Sequence, residues 1–208
     1  MTDIIKIWTV QDIAVLNKLL MGETYFPDLE KSSYFNNFPE ELRKGNQDLY
    51  SFLLSTSNRL NQFNSNGLVF AFSKIINLEE PEYKNYVKPG SIDSIEEFQQ
   101  FIADNQSAIK SIWDDLSVPG KVILELMIDL NSFYFLPIDI NDYQCLMPPI
   151  NLMGGLITIE DINDILDCIK SGHFSYGHII PSKVAQLHLP VIFPDQLIGA
   201  YPVFKVSK

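Results

Sequence analysis

The sequence predicts one α+β domain over residues 1–208, with a mixed or split β-sheet flanked by about four helices. Three observations carry that prediction. Strand-like and helix-like runs alternate early, but the last third is mostly β-like, which a purely doubly wound parallel sheet does not accommodate. An apolar fraction of 46%, with 14 Phe and 9 Tyr, supplies the surface that a large core needs. No linker rich in Gly, Ser or Pro divides the chain.

Taken in order, residues 4–8 form a short β-rich run. Thr9 then stands as the N-cap of a helix over 10–21, with Asp12 near its positive end. Ile13, Leu16 and Leu20 recur at helical spacing, and Gly22 sits where a left-handed residue closes a helix. Residues 27–45, rich in Asn, Ser, Pro and charge, predict a loop with a short helical turn over 40–44. A second helix follows Asn46 and carries Leu49, Tyr50, Leu53, Leu54 and Leu60 on one side. The Asn-rich stretch 58–66 ends it, and 67–73 is apolar and aromatic enough for a buried strand.

Ser94, followed three residues later by Glu97, forms a capping pattern for a third helix, whose apolar face is Phe98, Phe101, Ile102, Ile109 and Ile112. After the Pro119-Gly120 turn, residues 121–130 form the clearest strand. Val122, Leu124, Leu126 and Ile128 alternate there with a face bearing Glu125 and Asp129. A short strand is expected over 133–136 and a helix over 159–170, capped by Thr158 and ended by Ser171-Gly172. Two β-like runs, 184–192 and 198–206, close the chain on either side of Pro194-Asp195.

The charge balance of 15 Lys+Arg against 26 Asp+Glu repels a phosphate backbone, so nucleic acid is not an expected partner. The N-terminal residues lack a secretory layout, and no apolar window is long enough to span a bilayer, so a cytoplasmic protein without a membrane partner is expected. In that setting Cys145 and Cys168 remain thiols.

Local motifs for chemistry are thin. Cys168, His173 and His178 offer zinc-type donors but no fourth ligand at a standard spacing, so no metal site is expected. A cysteine nucleophile would need His173, His178 or His188 beside it, and nothing local supplies that arrangement. Ser55-Thr56-Ser57 lacks a nucleophile elbow, and Gly154-Gly155 lacks the lysine and third glycine of the phosphate-binding loops. Glu125 and Asp129 on one strand face stand about 13 Å apart, too far for a retaining carboxylate pair.

Ile7-Trp8-Thr9-Val10-Gln11, the helix around Tyr50 with the strand over 67–72, and Val122-Ile123-Leu124-Glu125-Leu126 leading to Asp139 and Tyr143 form an ordered set. In that order the chain resembles an uncharacterised bacterial family, a domain of unknown function whose members open with Trp-Thr-x-Gln. The same order resembles the ADP-ribosyltransferase-like fold. There Thr9 matches an early hydroxyl, Ile7 replaces an early His or Arg, and Ala185-Gln186-Leu187-His188-Leu189-Pro190 matches the late segment, with Gln186 in place of its catalytic acid.

That resemblance implies a degenerate core. An acid at this place stabilises positive charge as a glycosidic bond breaks, and a glutamine supplies no such charge, a loss of several kcal/mol of transition-state stabilisation. It implies a binding or interaction module with Thr9, Gln11, Tyr50 and Gln186 around a cleft for NAD, another nucleotide or a protein partner. An active NAD-processing enzyme would instead need Glu125 as the acid, pointing into the cleft of Thr9. A third reading is an interaction domain without a ligand site. The binding reading requires the first and penultimate strands to lie side by side, so that Thr9 and Gln186 share one pocket.

Overall fold

The computed structural model describes residues 3–31, 40–80, 87–141 and 182–206, with the backbone alone at 40–49 and 52. Seven strands follow in chain order: β1 (Ile4–Asp12), β2 (Val69–Ile75), β3 (Pro89–Gly90), β4 (Lys121–Asp129), β5 (Ile138–Asp139), β6 (Val184–Leu189) and β7 (Leu197–Pro202). The helices are α1 (Ile13–Leu20), α2 (Glu40–Asn61), α3 (Ile95–Asp104) and α4 (Gln106–Leu116). The α+β class is as expected. The strands form one sheet in the order β5-β6-β2-β1-β4-β7, with β3 on β2. All its pairings are antiparallel, which corrects the expectation of a mixed sheet.

β1 is longer than its sequence suggests. β4 pairs it residue by residue from Ile4↔Asp129 to Asp12↔Lys121, so Thr9 is a fully buried strand residue rather than a helix cap. A cap offers one side-chain hydrogen bond, whereas this ladder engages the backbone along nine residues. α1 therefore begins at Ile13, and Asp12 makes no side-chain cap bond. Gly22 ends it as expected, at φ 79°, with its N–H donating to the Leu19 carbonyl.

The expected turn over 40–44 is instead the first turn of α2, a helix of 22 residues. Tyr50 and Leu53 are buried, while Leu60, at 48% exposure, leaves the apolar face. The third expected helix is broken in two at Asn105, whose side-chain amide donates to the Phe101 carbonyl. Ser94 does cap α3, accepting from Glu97 N–H at 3.2 Å, and Glu97 accepts from the Asp93 N–H at 2.7 Å. No strand forms over 133–136, because Leu136 takes φ 45° and breaks the extended run; β5 starts just after it.

Strand alternation splits the core between the two sheet faces. Ile7, Ala71, Leu124, Leu126 and Leu187 meet Val15 and Leu19 of α1 on one face. Trp8, Phe72 and Ile123 meet Phe98, Ile102, Ile109 and Trp113 of α3 and α4 on the other. The helix expected over 159–170, Cys145, Cys168, His173, His178, Tyr143 and Gly154-Gly155 lie outside the described residues. No described helix is long and apolar enough to cross a membrane.

The two central strands barely touch. β1 meets β2 in register only at Trp8↔Phe72, and the strands part on either side of that bridge. On one side a short segment enters the gap: β3 pairs with Lys74 and Ile75, and the chain continues along β1. There Lys6 N–H donates to Ser91 Oγ (3.0 Å), Ile92 N–H to the Lys6 carbonyl (3.2 Å) and Trp8 Nε1–H to the Ile92 carbonyl (2.9 Å). On the other side, between residues 10–12 and 68–70, the fork holds a cavity.

Candidate functional site

That cavity, of about 220 Å³, is bordered by Gln11, Tyr50, Phe70, Phe72, Ile112 and Gln186, with Lys18, Lys31 and Lys121 also on its walls. One wall is the chain around residues 25–29, which is tied down by backbone bonds. Tyr25 and Ile192 exchange N–H donors at 2.9 and 3.0 Å, and Leu29 N–H donates to the Asn66 carbonyl at 3.0 Å. Gly67 permits this docking. A Cβ there would sit 2.9 Å from Asp28 N and from Pro27 C, both backbone atoms that have little room to yield.

Tyr50 anchors the opposite wall. Its hydroxyl donates to the Leu68 carbonyl at 3.1 Å and accepts from the Leu68 N–H, while its ring packs 5.8 Å from that of Phe70. Burial holds the phenol well above its ordinary pKa, so it stays neutral. Tyr50 thus pins the start of β2.

Thr9 closes the apex of the fork. Its hydroxyl donates to the Phe70 carbonyl at 2.6 Å, where the strand ladder stops, and accepts from the Gln11 amide at 2.8 Å. It orients Gln11 without bordering the cavity itself. The expected neighbourhood of the first and penultimate strands is not found, because β2 lies between β1 and β6 and pairs with both. Register also separates Thr9 from Gln186. Thr9 faces with Leu124 on one side of the sheet, whereas Gln186, Phe72 and Trp8 share the other. Gln11 and Gln186 still border one cavity, because the fork admits residues from both faces.

Glu125 is elsewhere. It is 5% exposed, bonded to Lys6 Nζ at 3.0 Å, and accepts from the Tyr201 hydroxyl at 2.9 Å. That hydrogen bond is the main reason the Tyr201 hydroxyl holds its proton more tightly than usual. A Cβ on Gly199, opposite Glu125 in β7, would come within 2.6 Å of Glu125 Oε2. The cross-strand pair Trp8↔Glu125 places Glu125 on the face away from Thr9, and it does not border the cavity. Asp139, also buried, accepts backbone N–H bonds from Ser182 (2.8 Å) and Asn141 (2.9 Å) and acts as a local brace.

The residue that sequence reasoning undervalued is His188. It is fully buried, its Nδ1 lies 2.8 Å from the Leu136 carbonyl, and the Phe70 ring meets it edge-on at 5.0 Å. A carbonyl only accepts, so Nδ1 carries the hydrogen and Nε2 is left as the acceptor. Burial pushes the imidazole down to about 4, which keeps it neutral near pH 7. Gln186 Nε2 stands 3.5 Å from His188 Nε2, so the amide turns its NH₂ toward the histidine. Gln186 Oε1 then has no hydrogen-bond partner among the described residues, although the residue is only 2% exposed. The signal in the sequence is the period-two pair Gln186-Leu187-His188, which sets both polar groups on one strand face.

The ionic groups on the cavity wall are mostly paired. Lys31 bonds Asp28 at 2.7 Å and Lys121 bonds Asp12 at 2.9 Å, while Lys18 has no carboxylate partner among the described residues. No group of metal-binding side chains is found among the described residues. Comparison with protein-family models, with curated proteins and with solved structures finds no match for this chain.

Proposed function

We propose that the protein is a binding module that holds a small planar ligand of nucleotide type, NAD or an adenine nucleotide, in the fork between β1 and β2 and leaves it unreacted. The observation that carries this reading is the cavity itself, about 220 Å³ in volume, where the amide residues Gln11 and Gln186 and the aromatic residues Tyr50, Phe70 and Phe72 meet in the fork. The aromatic rings of Tyr50, Phe70 and Phe72 favour a flat ring system. Lys18, without a carboxylate partner among the described residues and beside two lysine–aspartate pairs, favours an anionic tail in a chain of net charge −11.

Binding without turnover is supported by the acids among the described residues. Asp12 and Asp28 on the wall are neutralised by lysines, and Glu125 is held by Lys6 and Tyr201. The Trp-Thr-x-Gln opening and the amide at 186 support a degenerate ADP-ribosyltransferase-like core from sequence alone, since β2 separates β1 from β6 and Thr9 does not border the cavity; the acidic composition supports a cytoplasmic setting. A second reading has one specific observation behind it: Leu20 and Met21 at the end of α1 are 69% and 75% exposed, a surface suited to a protein partner.

The test incubates the purified protein with NAD and with adenine nucleotides, following melting temperature and nicotinamide release together. A ligand at about one hundred times its Kd adds about 2.7 kcal/mol of stability, so a clear rise in Tm with no nicotinamide released is the expected result. Release would replace this reading with that of an enzyme. Neither shift nor release would leave the α1 surface as the functional feature.

A further inference from the structure

Resting on that binding reading, we propose that the backbone of Val10 recognises the ligand's ring. Its N–H and C=O take a flat edge on which an acceptor nitrogen sits beside an amine, as in adenine, and the ligand stands where a β2 residue would otherwise pair. The direction of these groups follows from bonds at fixed places along β1. At its two ends the chain bonds on the β4 side: the Asp3 carbonyl accepts from Leu130 N–H at 3.0 Å, and Ile13 N–H donates to the Gly120 carbonyl at 3.1 Å. Between them Lys6 turns the other way, donating to Ser91 Oγ and accepting from Ile92 N–H. The pairing with β4 runs without a register shift from Ile4 to Asp12, so the alternation holds throughout. Val10, an even number of residues from Lys6, therefore directs its N–H and C=O to the β2 side.

Register would next bring Val10 to Phe70, but among the described residues the β1–β2 ladder holds Trp8↔Phe72 alone. The β2 rim of the fork is met by side chains instead. The Tyr50 hydroxyl serves both backbone groups of Leu68, and the Thr9 hydroxyl donates to the Phe70 carbonyl at 2.6 Å. Val10 is left facing the fork without a strand partner. The cavity reaches the rims themselves, because Val10, Gln11 and Asp12 border it in succession and Leu68, Val69 and Phe70 do so opposite. Successive strand residues send their side chains to opposite faces, so what each run of three presents in common is its backbone edge. A residue facing a gap in this way offers a donor and an acceptor side by side, and its complement is an acceptor and a donor in one plane. Adenine carries that edge, whereas a purine without the amine meets the N–H and strands the carbonyl.

The experiment follows the Val10 amide of the whole chain by nuclear magnetic resonance, beside calorimetric titration with adenosine 5′-monophosphate and with purine riboside 5′-monophosphate, which lacks the amine. In the free chain the Val10 amide is expected to exchange with solvent at least about tenfold faster than those of Thr9 and Gln11, which face β4. Adenosine 5′-monophosphate is expected to bind at least about tenfold more tightly than its amine-free analogue, and to shift and slow the Val10 amide alone of the three. Val10→Pro removes a donor that the β4 ladder does not use, so it is expected to melt cooperatively and to bind adenosine 5′-monophosphate at least about tenfold more weakly. Should that variant not fold, the amide measurements decide alone. A bound adenosine 5′-monophosphate that leaves the Val10 amide unmoved, or equal binding of the two nucleotides, would overturn the assignment and leave the binding reading standing. A Val10 amide as protected in the free chain as its neighbours would overturn it too. Failure of both nucleotides to bind would remove the binding reading itself, and the role of Val10 with it.

Discussion

The gaps on the two sides of the Trp8↔Phe72 bridge have the same origin and opposite fates. Where β1 and β2 part toward Lys6, the segment around residues 89–92 enters and supplies partners: Lys6 N–H, Ile92 N–H and the Trp8 indole are all bonded. Where they part toward Gln11, side chains close the fork instead, and one buried acceptor stays unmet among the described residues. The filled side resembles any protein interior, and the open side resembles a site awaiting a molecule. A single break in a ladder thus creates structure when chain fills it and recognition when chain does not.

The filled side breaks hardest. Trp8 is fully buried, stacks on Phe98 at 4.9 Å and bonds the Ile92 carbonyl, so Trp8→Ala is expected to cost about 3–5 kcal/mol, read as a lowered denaturant midpoint. A loss below about 1 kcal/mol would show that the two sides are equally loose. On the open side the strongest expected effect comes from a protonation. His188 in the folded chain titrates near 4, against about 6.5 when unfolded, so its neutral burial is fully tolerated above pH about 6.5. As the pH falls from there to about 4 the unfolded chain takes up a proton that the folded chain refuses, and about 3 kcal/mol of stability is lost. Denaturation curves across that range, compared with those of His188→Gln, isolate this contribution; parallel curves would show that His188 takes up its proton while folded.

A smaller effect sharpens the contrast at the cavity wall. Gly67→Ala puts a methyl against the backbone of Pro27 and Asp28 and is expected to cost about 1–3 kcal/mol, with weaker ligand binding because the wall moves. An unchanged melting temperature would mean that the wall around residues 25–29 yields freely.

Much of the fold was legible, and the reasons differ by element. Gly22 after a helical repeat, Ser94 ahead of Glu97, and the alternation from Val122 to Ile128 each depend on a few neighbouring residues, and each appears in the structure. Thr9 misled because its hydroxyl suits a cap equally well. What decided its fate was β4, more than a hundred residues later, and nothing beside Thr9 in the chain announces that partner. Asn105 ends α3 through a bond from its own side chain, a break that an apolar repeat continuing from Ile102 to Ile109 conceals.

For the candidate site, Gln11, Tyr50 and Gln186, named from the sequence, border one cavity in the structure. Their geometry was not legible, since the side-by-side strands expected for Thr9 and Gln186 are replaced by a fork that spans two faces of the sheet. Glu125 looked available because sequence shows a carboxylate and not its partners; Lys6 and Tyr201 come from distant parts of the chain. His188 was legible only as a strand neighbour of Gln186, and its role depends on the carbonyl of Leu136.

The full-length ladder of β1 with β4 has a consequence for assembly during synthesis. The strand made near the start of the chain sits in the middle of the sheet, and its main partner emerges over a hundred residues later, with β6 later still. At ordinary rates of translation the ribosome needs on the order of ten seconds to bridge that interval, during which a hydrophobic segment such as Ile4–Asp12 lacks its main partner. The protein thus belongs among chains whose contacts are mostly non-local, which close slowly and depend on a crowded cell to leave their nascent strands alone.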